Sequence, residues 1–147
     1  SHLNDTCRSL PFELLQDLLK IDSAHFFSLQ VGDRSQDLKQ SELGNKITDL
    51  SSRLDDFGAT AAAIAKLDLI ISVDTAVAHL SGALAKPIWL LLPYAPDWRW
   101  LLGRNTSPWY PTMRLFRQPT HNNWAAVMEQ VAAELRGFVD SNTRHEP

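Results

Sequence analysis

The sequence predicts an α/β domain of Rossmann type, with a mostly parallel sheet covered by helices on both faces. Two observations carry this expectation. Short continuous apolar runs at residues 25–29, 68–73 and 87–92 have the character of strands buried on both sides. Segments with helical spacing or helix-rich composition alternate with them, and strands alternating with helices imply right-handed βαβ crossovers. The chain has 147 residues, 44% of them hydrophobic and 21% charged, which suits one domain with a core it can fill.

Taken in order, Leu10, Leu14, Leu15, Leu18 and Leu19 recur at helical spacing behind Ser9, with Pro11 in the first turn where its missing N–H does no harm. His25 to Leu29 is a buried strand that stops at Val31-Gly32. Residues 33–46 are polar and without period, read as a loop with at most one helical turn, and a weak strand follows at residues 47–50. Ala59 to Lys66 is a helix, and Asp68 to Val73 is the next strand. A further helix starts just after Asp74, passes through His79 and ends near Leu84, where Lys86-Pro87 stops it. Ile88 to Leu92 is a strand and Met113 to Phe116 a short last one, joined by a loop long enough to imply a functional reason. Trp124, Val127, Met128, Val131, Leu135 and Phe138 mark a final helix capped by Asn122 or Asn123. Residues 1–139 thus form the domain and 140–147 a flexible tail.

A net charge of −3 and a pI near 5.9 offer no basic footprint for nucleic acid or an anionic membrane surface. The single cysteine, Cys7, has no internal disulfide partner, and neither a signal peptide nor a transmembrane run is apparent, so the expected setting is the cytoplasm. Five tryptophans stand out, four of them (Trp89, Trp98, Trp100, Trp109) in one stretch, where such rings serve equally to line a cleft or fill a core.

Ser72-Val73-Asp74-Thr75-Ala76-Val77-Ala78-His79 leads from a buried strand straight into a helix. The first helical amides, near Thr75 and Ala76, lack intrahelical acceptors, and the helix dipole adds positive potential, so a diphosphate fits there. His79 lies one turn on from Thr75. Asp74 would repel phosphate and instead suits sugar hydroxyls. From spacing alone, Asp74 reads equally as a helix N-cap and His79 as a structural histidine. There is no GxGxxG and no P-loop, and no D-x-D or clustered metal-ligand spacing, so neither a metal site nor a cofactor is expected.

The segment "DLIISVDTAVAHLSGALAKPIWLLLP" resembles the nucleotide-sugar site of the heptosyltransferase-like, family 9-like glycosyltransferases. "HLNDTCRSLP", "FFSLQVG", "DLSSRLDDFGATAAAIAKLD" and "DWRWLLGRNTSPWYPTMRLFRQ" are similar to the branch of that family found behind tetratricopeptide repeats. The resemblance implies a two-domain GT-B architecture with the chain as its C-terminal, donor-binding domain. It also implies a nucleotide-diphosphate sugar as substrate, an N-terminal domain that holds an acceptor of unknown identity, and tetratricopeptide repeats as neighbours in the parent protein. On this resemblance Asp74 meets sugar hydroxyls, the Thr75 and Ala76 amides meet the diphosphate, and His79 supports the loop or the phosphates. Arg8 stands among phosphate contacts, with Asn4 and Asp5 in the same loop, and Gln30 in the region for ribose or base. Leu54 and Phe57 belong to the base pocket. Trp98, Arg99 and Trp100 wall the cleft, or else pack over the sheet edge.

Three positions depart from the family pattern. Ala76 and Ala85 replace glycines, and Ala59 replaces a capping aspartate for which Thr60 is a substitute. The resemblance further implies a preceding strand with a glycine-rich turn, without which the sheet has an open edge. Two other readings compete with a transferase: a non-catalytic interaction module with a decayed donor site, and a nucleotide-sugar epimerase or hydrolase.

Overall fold

The computed structural model describes residues 10–32, 34–95 and 105–144. A 3-10 turn, Phe12–Leu15, runs into helix α1, Gln16–Leu19. Strand β1 is Phe26–Ser28, helix α2 Arg34–Gln40 and, after a 3-10 turn at Glu42–Lys46, strand β2 is Ile47–Asp49. A third 3-10 turn, Ser51–Arg53, leads to helix α3, Phe57–Lys66. Then come strand β3, Ile70–Val73, helix α4, Ala76–Ala83, strand β4, Ile88–Leu92, strand β5, Met113–Arg117, and helix α5, Trp124–Thr143. The expected α/β class with parallel strands is what forms.

Among the described residues the named strands pair in parallel, β1 with β2 in one ladder and β3, β4, β5 in another, while Thr106 adds an isolated antiparallel bridge to Arg114. Both ladders serve the same two cores. On one face Leu18 of α1 and Val127, Met128, Val131 and Leu135 of α5 pack on Trp89, Leu91 and Phe116, with Phe26 of β1 and Ile71 and Val73 of β3 against them. On the other, Ile64 of α3 and Ala78 of α4 pack on Ile70, Ile88, Leu90, Leu92, Met113 and Leu115, joined by Leu29. β4 is the central strand, apolar and buried at all five positions, as a strand covered on both faces must be.

Among the described residues no ladder bond joins β1 or β2 to β3, β4 or β5.

Several local expectations are corrected. Residues 34–40 are an α-helix and not a loop: Leu38 anchors it in the interior, and the Ser35 hydroxyl donates to the Gly32 carbonyl at its start. The N-terminal amphipathic segment is split, because the chain after Pro11 tightens into a 3-10 turn before α1, and no side chain caps it. α3 starts at Phe57, capped by neither Ala59 nor Thr60 but by Asp56, whose carboxylate accepts from the Ala59 amide at 2.7 Å. α5 runs through Thr143, so residues 140–143, expected in the tail, continue the helix. Of the two asparagines, Asn123 is the cap, accepting from the Ala126 amide at 3.2 Å.

Candidate functional site

The carboxyl end of β3 delivers the chain into α4 through Asp74 and Thr75. Thr75, not Asp74, is the N-cap residue, and its side chain does not cap the helix: its hydroxyl pairs with the Ser72 hydroxyl at 3.1 Å. Among the described residues the amides that open α4 thus have no side-chain acceptor, and Thr75 and Ala76 are exposed at the positive end of the helix. The short side chains inside α4 explain how it sits so close to the sheet. Ala78, Ser81 and Gly82 are buried, and the Ser81 hydroxyl satisfies itself on the Val77 carbonyl at 2.7 Å.

Asp74, relieved of capping, turns toward α4. Its Oδ1 lies 3.1 Å from His79 Nε2, and the other ring nitrogen, Nδ1, lies 3.2 Å from the hydroxyl of Tyr110. Asp74, His79 and Tyr110 therefore form one chain of hydrogen bonds at the mouth of the helix. The Asp74 side chain is 11% exposed and that of His79 32% exposed, so the pair lies at a partly wet rim. With both ring nitrogens on protein groups, this geometry makes His79 a support for the Asp74 turn. Tyr110 is the residue sequence reasoning missed: it is 31 positions from His79, in an aromatic loop where periodicity carries no signal. The crowded Pro108-Trp109-Tyr110-Pro111 run was its one visible mark.

Gln30 occupies a different place. It lines an open cleft of about 590 Å³ together with Leu10, Pro11, Phe12, Glu13, Asp37, Gln40 and Ser41. Glu13 and Asp37 make that cleft unsuited to phosphate and suited to hydroxyl or amino donors. Neither Asp74 nor His79 lines it. Of the two residues assigned to a base pocket, Leu54 is buried, whereas Phe57 is 69% exposed at the first position of α3. The tryptophan cluster divides. Trp89 is core, packed on Phe116 and Phe138 at ring separations of 5.3 and 5.9 Å, and Trp109 is exposed. Asn4, Asp5, Cys7, Arg8, Trp98, Arg99 and Trp100 lie outside the described residues. Among the described residues no three His, Cys, Asp or Glu side chains gather as a metal site, and no helix is long and apolar enough to cross a membrane.

Parallel strands covered by helices, with α4 starting at the end of β3, define the chain as a Rossmann-like α/β unit. Residues 32–100 match the family model of glycosyltransferase family 9 (heptosyltransferase), a segment that includes the Asp74–His79 turn, and the match supports a domain of that glycosyltransferase type. Protein FlbA of Caulobacter vibrioides (strain ATCC 19089 / CIP 103742 / CB 15) is 36% identical over 138 residues, an alignment covering 89% of this chain and 22% of FlbA. The chain therefore spans well under a third of the length of that relative. No solved structure matches the chain.

Proposed function

We propose that this chain is the donor-binding domain of a GT-B glycosyltransferase, and that the whole protein transfers a sugar from a nucleotide-diphosphate donor to an acceptor held by another domain. The observation that supports this reading best is the uncapped N-terminus of α4 with the Asp74 carboxylate fixed beside it. The amides of Thr75 and Ala76 hold the diphosphate and stabilise the charge that grows on it as the glycosidic bond breaks. Asp74 accepts from sugar hydroxyls, Arg8 adds a cation to the diphosphate, and Gln30 meets the ribose or base. The acceptor's general base belongs to the other domain, with tetratricopeptide repeats elsewhere in the protein and the reaction taking place in the cytoplasm.

Calorimetric titration with ADP-, UDP-, GDP- and CDP-sugars tests this. One of them is expected to bind, with Asp74→Ala and Arg8→Ala each weakening it, while the isolated chain shows no turnover. Absence of binding by all four to the folded chain favours an interaction module, and donor hydrolysis or epimerisation without acceptor favours an enzyme acting on the donor alone. Robust transfer by this chain alone overturns the division of the site between two domains.

A further inference from the structure

The cleft beyond β1 differs from the α4 turn in its chemistry. Its volume of about 590 Å³ suits a small organic ligand. Leu10, Pro11 and Phe12, just ahead of α1, make one part of the lining apolar, and the Glu13 carboxylate follows in the same 3-10 turn. α2 brings Asp37 and, where the helix ends, Gln40 and Ser41. Gln30, two residues past β1, completes the lining.

Three features give this cleft one electrical sign. Glu13 and Asp37 are exposed carboxylates, no Lys, Arg or His stands among its described lining residues, and Gln40 and Ser41 place the negative end of α2 on it. Lys39, the cation in the last turn of α2, lies 3.8 Å from Asp49 instead. Among the described residues the side chains of Glu13, Gln30, Asp37 and Gln40 have no hydrogen-bond or ion-pair partner, so all four can turn to a ligand. The lining calls for a molecule with a flat apolar face and adjacent N–H donors on one edge.

Within a nucleotide sugar only the base answers to that description. The carboxylates repel the diphosphate, and sugar hydroxyls bring no flat face. Guanine fits best: its N1–H and 2-amino group are neighbouring donors, the pattern that the two oxygens of a carboxylate accept together. Its O6 and N7 accept from a carboxamide such as that of Gln30 or Gln40. Uracil offers one N–H between two carbonyl oxygens, and adenine and cytosine each set one amino group beside a ring lone pair, so a carboxylate meets repulsion on all three.

We propose that this cleft is the base subsite of the donor and that Glu13 and Asp37 make it selective for guanine. The proposal rests on the donor-binding reading above and narrows the donor to a guanosine-diphosphate sugar. Neither Leu54 nor Phe57 lines the cleft, so the base is read by the segment ahead of α1 and by α2.

Uncharged nucleosides test the cleft without the diphosphate. In titrations of the nitrogen-15-labelled chain, guanosine is expected to shift the carboxamide signals of Gln30 and Gln40. It is expected to bind about tenfold to a hundredfold tighter than inosine, which lacks only the 2-amino group. Uridine is expected to bind no better than inosine. Glu13→Gln combined with Asp37→Asn changes two exposed positions, and it is expected to abolish the difference between guanosine and inosine in a chain whose spectrum stays folded. Equal binding of guanosine and inosine, uridine binding as tightly as guanosine, a preference that survives the double variant, or no nucleoside binding at all overturns the proposal. Calorimetry with the four nucleotide sugars keeps the two readings apart. Binding of an ADP-, UDP- or CDP-sugar that Asp74→Ala weakens and the double variant leaves unchanged overturns the guanine subsite and upholds the donor site. Guanosine selectivity in a chain that binds none of the four upholds the subsite and overturns the donor reading.

Discussion

Asp74 and His79 meet at 3.1 Å across the first turn of α4, the carboxylate 11% exposed and the imidazole its donor. Removing the donor leaves a largely covered carboxylate without one of its partners, which costs more than the bond itself is worth. His79→Ala is therefore expected to destabilise the chain by about 1–3 kcal/mol. The double variant Asp74→Ala, His79→Ala should lose less than the sum of its singles, because the stranded charge is gone. Urea denaturation of the four proteins of this cycle checks the expectation, and strictly additive losses would show that the pair is not coupled.

The sequence made the central strands and the last helix legible because burial there leaves an unambiguous mark. Ile88 to Leu92 has no polar residue to satisfy, and Trp124, Val127, Met128, Val131 and Leu135 repeat at helical spacing on one face. α2 was hidden since Leu38 is the one large buried side chain among its described residues, too little to generate a period. The Asp56 cap was missed because it lies three residues ahead of the alanine run that first catches the eye. At the candidate site, the strand-to-helix turn was readable from Ser72 to His79 as a local pattern. Its partner Tyr110 was not, since a contact across 31 residues is made by the topology of β4 and β5 and leaves no trace in spacing.

Ala85 ends α4 with φ at 55°, a left-handed conformation in which a Cβ is strained and glycine is not. The neighbouring Lys86 amide donates to the Ser81 carbonyl at 3.0 Å, the closing bond of a Schellman motif. Ala85→Gly relieves the strain while keeping that bond, and a gain of about 1 kcal/mol is expected after the extra entropy of the unfolded glycine is subtracted. A higher midpoint in thermal or urea unfolding checks it; a fall would mean that the turn gains more from the methyl group than it loses to strain.

Asp49 ends β2 by accepting from the Ser51 amide at 2.9 Å and from the Ser51 hydroxyl at 3.0 Å, with the Lys39 ammonium 3.8 Å away. The amide bond foremost, then the hydroxyl, and Lys39 in smaller part hold its carboxyl below the usual carboxylate range. A carboxyl with a depressed folded value stabilises the fold above its unfolded value near 4 and loses that contribution as pH falls through the folded one. Asp49→Asn should accordingly be less stable than the parent at neutral pH, with the difference closing in acid below about pH 4. Unfolding midpoints measured from pH 7 down to pH 3 test the sign: a gap that widens in acid refutes it.

The unpaired edges of β1 and β3 carry the last expectation. Each offers a row of amides and carbonyls with no ladder partner among the described residues, and Phe27 in β1 is 43% exposed beside one of them. Unpaired parallel edges next to an apolar side chain are templates for another strand, and proteins protect such edges with charge. The 147-residue chain is thus expected to self-associate with rising concentration. Phe27→Lys should suppress this association without loss of stability, because the side chain it replaces contributes little to the core. Sedimentation velocity across a concentration series decides the matter: a monomer throughout would show that both edges are already protected, and association unchanged by Phe27→Lys would place the contact elsewhere on the surface.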